Sequence, residues 1–147
     1  MKIYIINGPN LNMLGIREPD VYGKTDYNAL IELCKKRTDE LNIEAVFYQS
    51  NHEGDLVDKI QEAYFEGAFG IVINPGAYTH TSIALLDAVK ACSLPTIEVH
   101  ISKLDERESF RQISYIGLAA HKTIKGKGVM GYVEAIDALH ELYLEKK

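Results

Sequence analysis

Arg17 and Tyr22 stand close together in the segment NGPNLNMLGIREPDVYG, which runs from Asn7 to Gly23. A guanidinium beside a phenol is one of few ways to make tyrosine a base near neutral pH. An unperturbed phenol has pKa ≈ 10 and is only about 0.1% ionised at pH 7. One close cation lowers a partner's pKa by ~1 to 3 units, and the resulting tyrosinate is a far stronger base than any carboxylate. Such a base suits removal of a proton next to a ketone. The residue types leave a second arrangement open, in which Arg17 pairs with Glu18 or Asp20 at the surface and Tyr22 only packs its ring.

Glu98 and His100 are two residues apart in IEVHIS. In a strand that spacing puts both side chains on one face, with Ile97, Val99 and Ile101 on the other. A carboxylate beside an imidazole fixes its tautomer and favours its protonated form, so His100 is a candidate general acid. The competing reading is a structural pair that closes the strand end. His80, in NPGAYTH after another apolar strand, falls at the same expected edge. His52 at a helix entry, His140 in the terminal helix and His121 read as capping, solvated or peripheral. The five histidines form no HExxH or paired His/Cys motif, so no metal site is expected.

The elements that would position these groups alternate. Lys2 to Ile6, Glu44 to Tyr48, Gly70 to Ile73 and Pro95 to Val99 read as strands, with Thr123 to Lys125 a weaker fifth. Helical spacing runs from Tyr27 to Leu41, with Thr25 or Asp26 placed to cap it, and from Glu53 to Phe65, with Gly67 as a left-handed stop. Further helices are expected from about Thr81 to Ala91 and from about Tyr132 onward. Consecutive apolar residues at Tyr4, Ile5, Ile6 and at Ile71, Val72, Ile73 suit strands covered on both faces. This rhythm predicts an α/β fold of three layers, a doubly wound five-stranded parallel sheet of flavodoxin-like order, in one domain spanning residues 1–147. Ligands of such sheets sit beyond the carboxyl ends of the strands, where Asn7 to Gly23, Asn74 to His80 and Glu98 to Ser102 converge.

Several uses of this architecture are opposed by what the chain contains. There is no GxxxxGK[ST] phosphate loop, and GKGVMG from Gly126 to Gly131 matches GxGxxG but precedes the final helix, with no acidic residue about 20 residues beyond it at a second strand. A receiver-type phosphorylation site wants aspartates where Asn7 and Asn74 stand. The net charge of −5 argues against general nucleic-acid binding. No apolar run approaches the ~20 residues of a membrane span, and MKIYIING lacks the apolar core and cleavage site of a secretory signal, so a cytoplasmic protein is expected. Cys34 and Cys92 lie in helical segments without CxxC spacing and read as reduced structural thiols.

NGPNLNMLGIREPDVYG, NPGAYTHTSIALLDA, IEVHIS and ERESFRQISY, in this order and spacing, resemble the signature segments of the type II 3-dehydroquinate dehydratases, and the similarity extends over nearly all 147 residues. The resemblance implies a flavodoxin-like fold, no cofactor or metal, and a dodecamer of four trimers. It also implies loss of water from 3-dehydroquinate to give 3-dehydroshikimate, by anti elimination through an enolate. By motif, Tyr22 resembles the proton acceptor, Arg17 its activator, and His100 the donor to the departing hydroxyl. Asn10 matches the residue that supports the enolate through water, and Glu98 the partner of His100. Asn74, His80 and Arg111 match groups that hold substrate hydroxyls, and the amides of Ile101 and Ser102 the carboxylate cradle. Asp87 matches a residue donated by a neighbouring subunit. Between Gly15 and Gly23 the chain would close over substrate as a lid. The alternatives are a non-catalytic flavodoxin-like binder of a small anionic ligand, which needs neither base nor acid, and an FMN protein, opposed by the absent phosphate loop. The chain departs from the family pattern after Tyr115, where IGLAAHKTIKGKG replaces a Ser-Pro segment and carries Lys122, Lys125 and Lys127. The expected effect is on local packing and the subunit surface.

Overall fold

The computed structural model describes residues 1–16 and 25–147. Five parallel strands form one sheet in the order β2-β1-β3-β4-β5. They are β1 Lys2–Asn7, β2 Glu44–Gln49, β3 Gly70–Asn74, β4 Thr96–His100 and β5 Lys122–Lys125. The flanking helices are α1 Tyr27–Glu40, α2 Glu53–Phe65, α3 Ile83–Cys92 and α4 Met130–Glu145. Because side chains alternate along a strand, Ile3, Ile5, Val72, Ile97 and Val99 pack on one face against Leu30 and Cys34 of α1 and Tyr132, Ala135, Ile136 and Leu139 of α4. Tyr4, Ile6, Ile71 and Ile73 pack on the other against Leu56, Ile60 and Ala63 of α2 and Leu85, Ala88 and Val89 of α3. The expected three-layer, flavodoxin-like sheet is therefore present. Strand order reverses between β1 and β3, which opens a crevice at their carboxyl ends.

Local chemistry sets the boundaries. Asp26, rather than Thr25, caps α1 by accepting the Ala29 N–H at 2.8 Å. Gly67, at φ 73°, follows the end of α2 in the left-handed region. α3 begins at Ile83 instead of Thr81, because the Ser82 hydroxyl accepts the Leu85 N–H at 3.0 Å and residues Gly76–His80 before it wind into a 3₁₀ turn. α4 starts at Met130, ahead of Tyr132. His52 occupies the capping position of α2, but its ring makes no cap; the Ser50 hydroxyl accepts the His52 N–H at 3.0 Å and donates to Asp55 at 2.7 Å. Both cysteines are free and buried, and burial pushes the Cys34 thiol up to about 12. Among the described residues no helix is long and apolar enough to cross a membrane.

Candidate active site

The loops after β1 and β3 are locked face to face. Gly8 donates its N–H to the Asn74 carbonyl at 2.7 Å, and a Cβ at Gly8 would lie 2.4 Å from the Pro75 carbonyl oxygen, so only glycine permits the approach. Asn10 then turns through the left-handed region at φ 71°, and its N–H donates to Asn51 Oδ1 at 3.0 Å. Beneath these loops Asn7 and Asn74 are register partners on β1 and β3. The fully buried Tyr132 hydroxyl joins them, donating to Asn7 Oδ1 at 2.6 Å and accepting from Asn74 Nδ2 at 2.9 Å. Asn74 Oδ1 accepts the Gly76 N–H at 3.0 Å. Asn7, read from sequence only as a missing aspartate, and Asn74, also expected to hold substrate, thus tie the last helix to the central strands.

On β4, Ile97, Val99 and the following Ile101 enter the core shared with α1 and α4, leaving Glu98 and His100 on the opposite face. His100 Nε2 donates to Glu98 Oε2 at 2.5 Å. Glu98 is wholly buried. Three hydroxyls surround its carboxylate: Thr79 Oγ1 at 2.5 Å from Oε2, Ser114 Oγ at 2.7 Å from Oε2 and 2.9 Å from Oε1, and Thr123 Oγ1 at 2.9 Å from Oε1. Burial alone would push Glu98 up. The hydrogen bond and charge of His100 and the hydroxyls of Thr79 and Ser114 outweigh it and hold the carboxyl down, at about 2. Glu98 therefore stays ionised at neutral pH and accepts from His100. With Nε2 committed, Nδ1 is the nitrogen left for a ligand.

His100 opens into a cleft at the carboxyl ends of β1, β3 and β4. The cleft is also lined by Asn10, Leu11, Leu14, Asn74, His80, Ile101, Ser102, Leu104, Arg107 and Arg111. His80 Nδ1 donates to the Ile113 carbonyl at 2.6 Å. Burial lowers its pKa, with His100 and Arg111 adding to the effect against the Ile113 bond and Glu98, so the ring stays neutral near pH 7. Its Nε2 is then an acceptor, suited to a hydroxyl. Arg111 Nε donates to Glu108 Oε2 at 2.7 Å, which fixes that guanidinium at the rim. The segment is knitted onto the sheet by Gln112 Nε2, 2.6 Å from the Leu104 carbonyl, and by the Tyr115 N–H, 2.8 Å from the Thr79 carbonyl. The lining carries two guanidiniums and no carboxylate among the described residues, an environment for an anion.

The structure thus brings together Asn10, Asn74, His80, His100, Ile101, Ser102 and Arg111, with Glu98 directly behind His100. Arg17, Tyr22 and most of the expected lid lie outside the described residues. Asp87 is exposed on α3 and does not line the cleft of its own chain. Sequence reasoning missed Arg107, whose guanidinium Nη1 donates to Ser102 Oγ at 3.4 Å. The signal available was a second arginine four residues before Arg111, in a segment that follows a site-edge strand. Gly126 and Gly128, in the GxGxxG match, donate their N–H groups to the His100 and Ile101 carbonyls at 3.2 Å each. That loop braces the end of β4. The segment after Tyr115 also touches the site, since Thr123 belongs to it; its effect is not confined to packing and the subunit surface.

Residues 1–140 match the family model described as Dehydroquinase class II. A curated relative from Caldicellulosiruptor saccharolyticus, a 3-dehydroquinate dehydratase, is 54% identical over 141 residues, 96% of this chain and 97% of its own. A 3-dehydroquinate dehydratase of Clostridium perfringens is 50% identical over 139 residues, 95% of this chain and 96% of its own. Among solved structures, the type II dehydroquinase of Butyrivibrio crossotus superposes with a TM-score of 0.93 at 54% identity, covering 95% of this chain and 97% of that one. Matched in sequence and in fold over nearly its whole length, the chain belongs to the class II dehydroquinase family.

Proposed function

We propose that this protein is a hydro-lyase that removes water from 3-dehydroquinate to give 3-dehydroshikimate, a step of the shikimate route to chorismate and the aromatic amino acids. The observation that carries the reading is the Glu98–His100 pair opening onto an anion-suited cleft, in a chain of the class II dehydroquinase family. Simple binding of an anion requires no ionised carboxylate buried behind an imidazole.

In the reaction, tyrosinate at Tyr22, stabilised by Arg17, takes the proton from the carbon beside the ketone. The electron pair moves onto the carbonyl oxygen as an enolate, which Asn10 supports through water. Collapse of the enolate forms the carbon–carbon double bond and breaks the carbon–oxygen bond on the opposite face. His100 protonates the departing hydroxyl, which leaves as water. The imidazole is oriented for this by the Glu98 carboxylate, which shares its charge. Asn74, neutral His80 and Arg111 hold substrate hydroxyls, and the Ile101 and Ser102 amides hold its carboxylate. No metal or cofactor enters these steps.

We further propose that the enzyme works in the cytoplasm as a dodecamer of four trimers, with Asp87 completing a neighbour's site. The exposure of Asp87, one helical turn from the exposed Ile83, supports this. Incubation with 3-dehydroquinate should generate a conjugated enone, followed by its ultraviolet absorbance. Folded protein that gives no absorbance would favour a non-catalytic binder. Solution mass near twelve chains checks the assembly, and a stable monomer with full turnover would remove Asp87 from the site.

A further inference from the structure

We infer that Thr123, on the edge strand β5, is a positioning residue for the acid pair, its hydroxyl completing the shell that holds the Glu98 carboxylate behind His100. The inference rests on the reaction proposed above. Glu98 and Thr123 are register partners on β4 and β5, so their side chains leave the sheet side by side on one face. The resulting contact runs from Thr123 Oγ1 to Glu98 Oε1 at 2.9 Å, whereas His100 engages Oε2. The two carboxylate oxygens thus have different duties. Oε2 takes the imidazole N–H together with the Thr79 and Ser114 hydroxyls, while Oε1 is met by Thr123 and by the longer of the two Ser114 contacts.

The neighbouring backbone makes this arrangement specific. Gly117 presents no side chain to Oε1; a Cβ there would stand 3.2 Å from that oxygen and 3.0 Å from Ser114 Oγ. Its N–H donates instead to Ser114 Oγ at 2.9 Å. Room beside Oε1 is therefore filled from β5. Valine would fill the same volume at an edge strand with equal or better strand propensity. The hydroxyl is explained by the carboxylate it meets.

A donor on Oε1 disperses the negative charge that would otherwise concentrate on the oxygen holding His100. Without it the carboxylate becomes a stronger acceptor, the imidazolium is bound more tightly, and His100 yields its proton to the leaving hydroxyl less readily. Other charged groups face this pair from each packed element. His80 comes from the 3₁₀ turn after β3, Arg107 and Arg111 from the segment after β4, and Lys125 from β5, where it is paired to Asp105 at 3.0 Å. A Thr123→Val change leaves all of them in place.

The test compares wild type, Thr123→Val and Thr123→Ser in two measurements. The first records the His100 ring NMR resonances at one fixed pH, and the second is steady-state turnover of 3-dehydroquinate. Thr123→Val should displace the His100 ring resonances from their wild-type positions and lower kcat roughly 3- to 10-fold with KM within about twofold. Thr123→Ser should restore both. A valine variant whose resonances and kcat both equal wild type overturns the inference, as does a kcat loss that serine fails to restore while the resonances stay put. The NMR arm needs no turnover. A wild type inactive on 3-dehydroquinate, with the resonances still displaced in the valine variant, would sink the proposed reaction and leave the positioning role standing.

Discussion

Tyr22→Phe should remove nearly all turnover while the substrate still binds. In the proposed reaction the phenol oxygen accepts the proton, and phenylalanine keeps the ring while deleting that oxygen. A positioned general base contributes about 10²- to 10⁴-fold, and here the variant leaves no described group of comparable strength facing the cleft. The cleft's remaining contacts, from Asn74, His80 and Arg111, are untouched, so affinity measured by calorimetry should stay within about threefold. The expected pattern is therefore a kcat lowered by about 10²- to 10⁴-fold with binding preserved. Rates near wild type would rule Tyr22 out as the base.

Glu98→Gln should be nearly as damaging and should also change how stability depends on pH. Four donors converge on the carboxylate, from His100, Thr79, Ser114 and Thr123. An amide offers one oxygen in place of two and turns an NH2 toward groups that donate. His100 loses the carboxylate that orients its ring, and kcat should fall about 10²- to 10³-fold with a smaller change in KM. The stability effect follows from linkage. The folded-state pKa of Glu98, held at about 2, lies below its ordinary 4.5. Its contribution is then fully present above about pH 4.5 and is lost as pH falls toward 2. Urea unfolding should show wild type more stable than Glu98→Gln at pH 6, by a few kcal/mol at most, with the gap closing between pH 4.5 and pH 2. A gap independent of pH would mean the carboxylate is not held ionised by its neighbours.

The strands and most helix bodies were legible because they repeat. Alternating and consecutive apolar residues set β1 and β3, and Asp26 and Gly67 punctuate their helices as their chemistry requires. The face shared by Glu98 and His100 followed from a two-residue spacing. What sequence did not reveal depends on contacts between distant positions. Thr123 looks like an ordinary edge-strand residue until the register sets it beside Glu98. Tyr132 looks like a helical core residue until its hydroxyl is found between Asn7 and Asn74. Ser82 displaced the start of α3 through one local hydrogen bond, stronger in deciding the boundary than the apolar pattern around it. Arg107 and Arg111 differ only in where an irregular segment turns them, and such segments carry no periodicity to read.

The Tyr132 hydroxyl has a consequence for synthesis of the chain. Asn7 emerges from the ribosome well before the group that satisfies it, which lies 125 positions later. Until α4 arrives, the polar ends of both central strands have no buried partner from that helix, and the sheet's inner face toward α1 and α4 lacks half its covering. Nascent chains stalled before residue 132 should therefore remain protease-sensitive at β1 and β3, with protection gained together as the last helix docks.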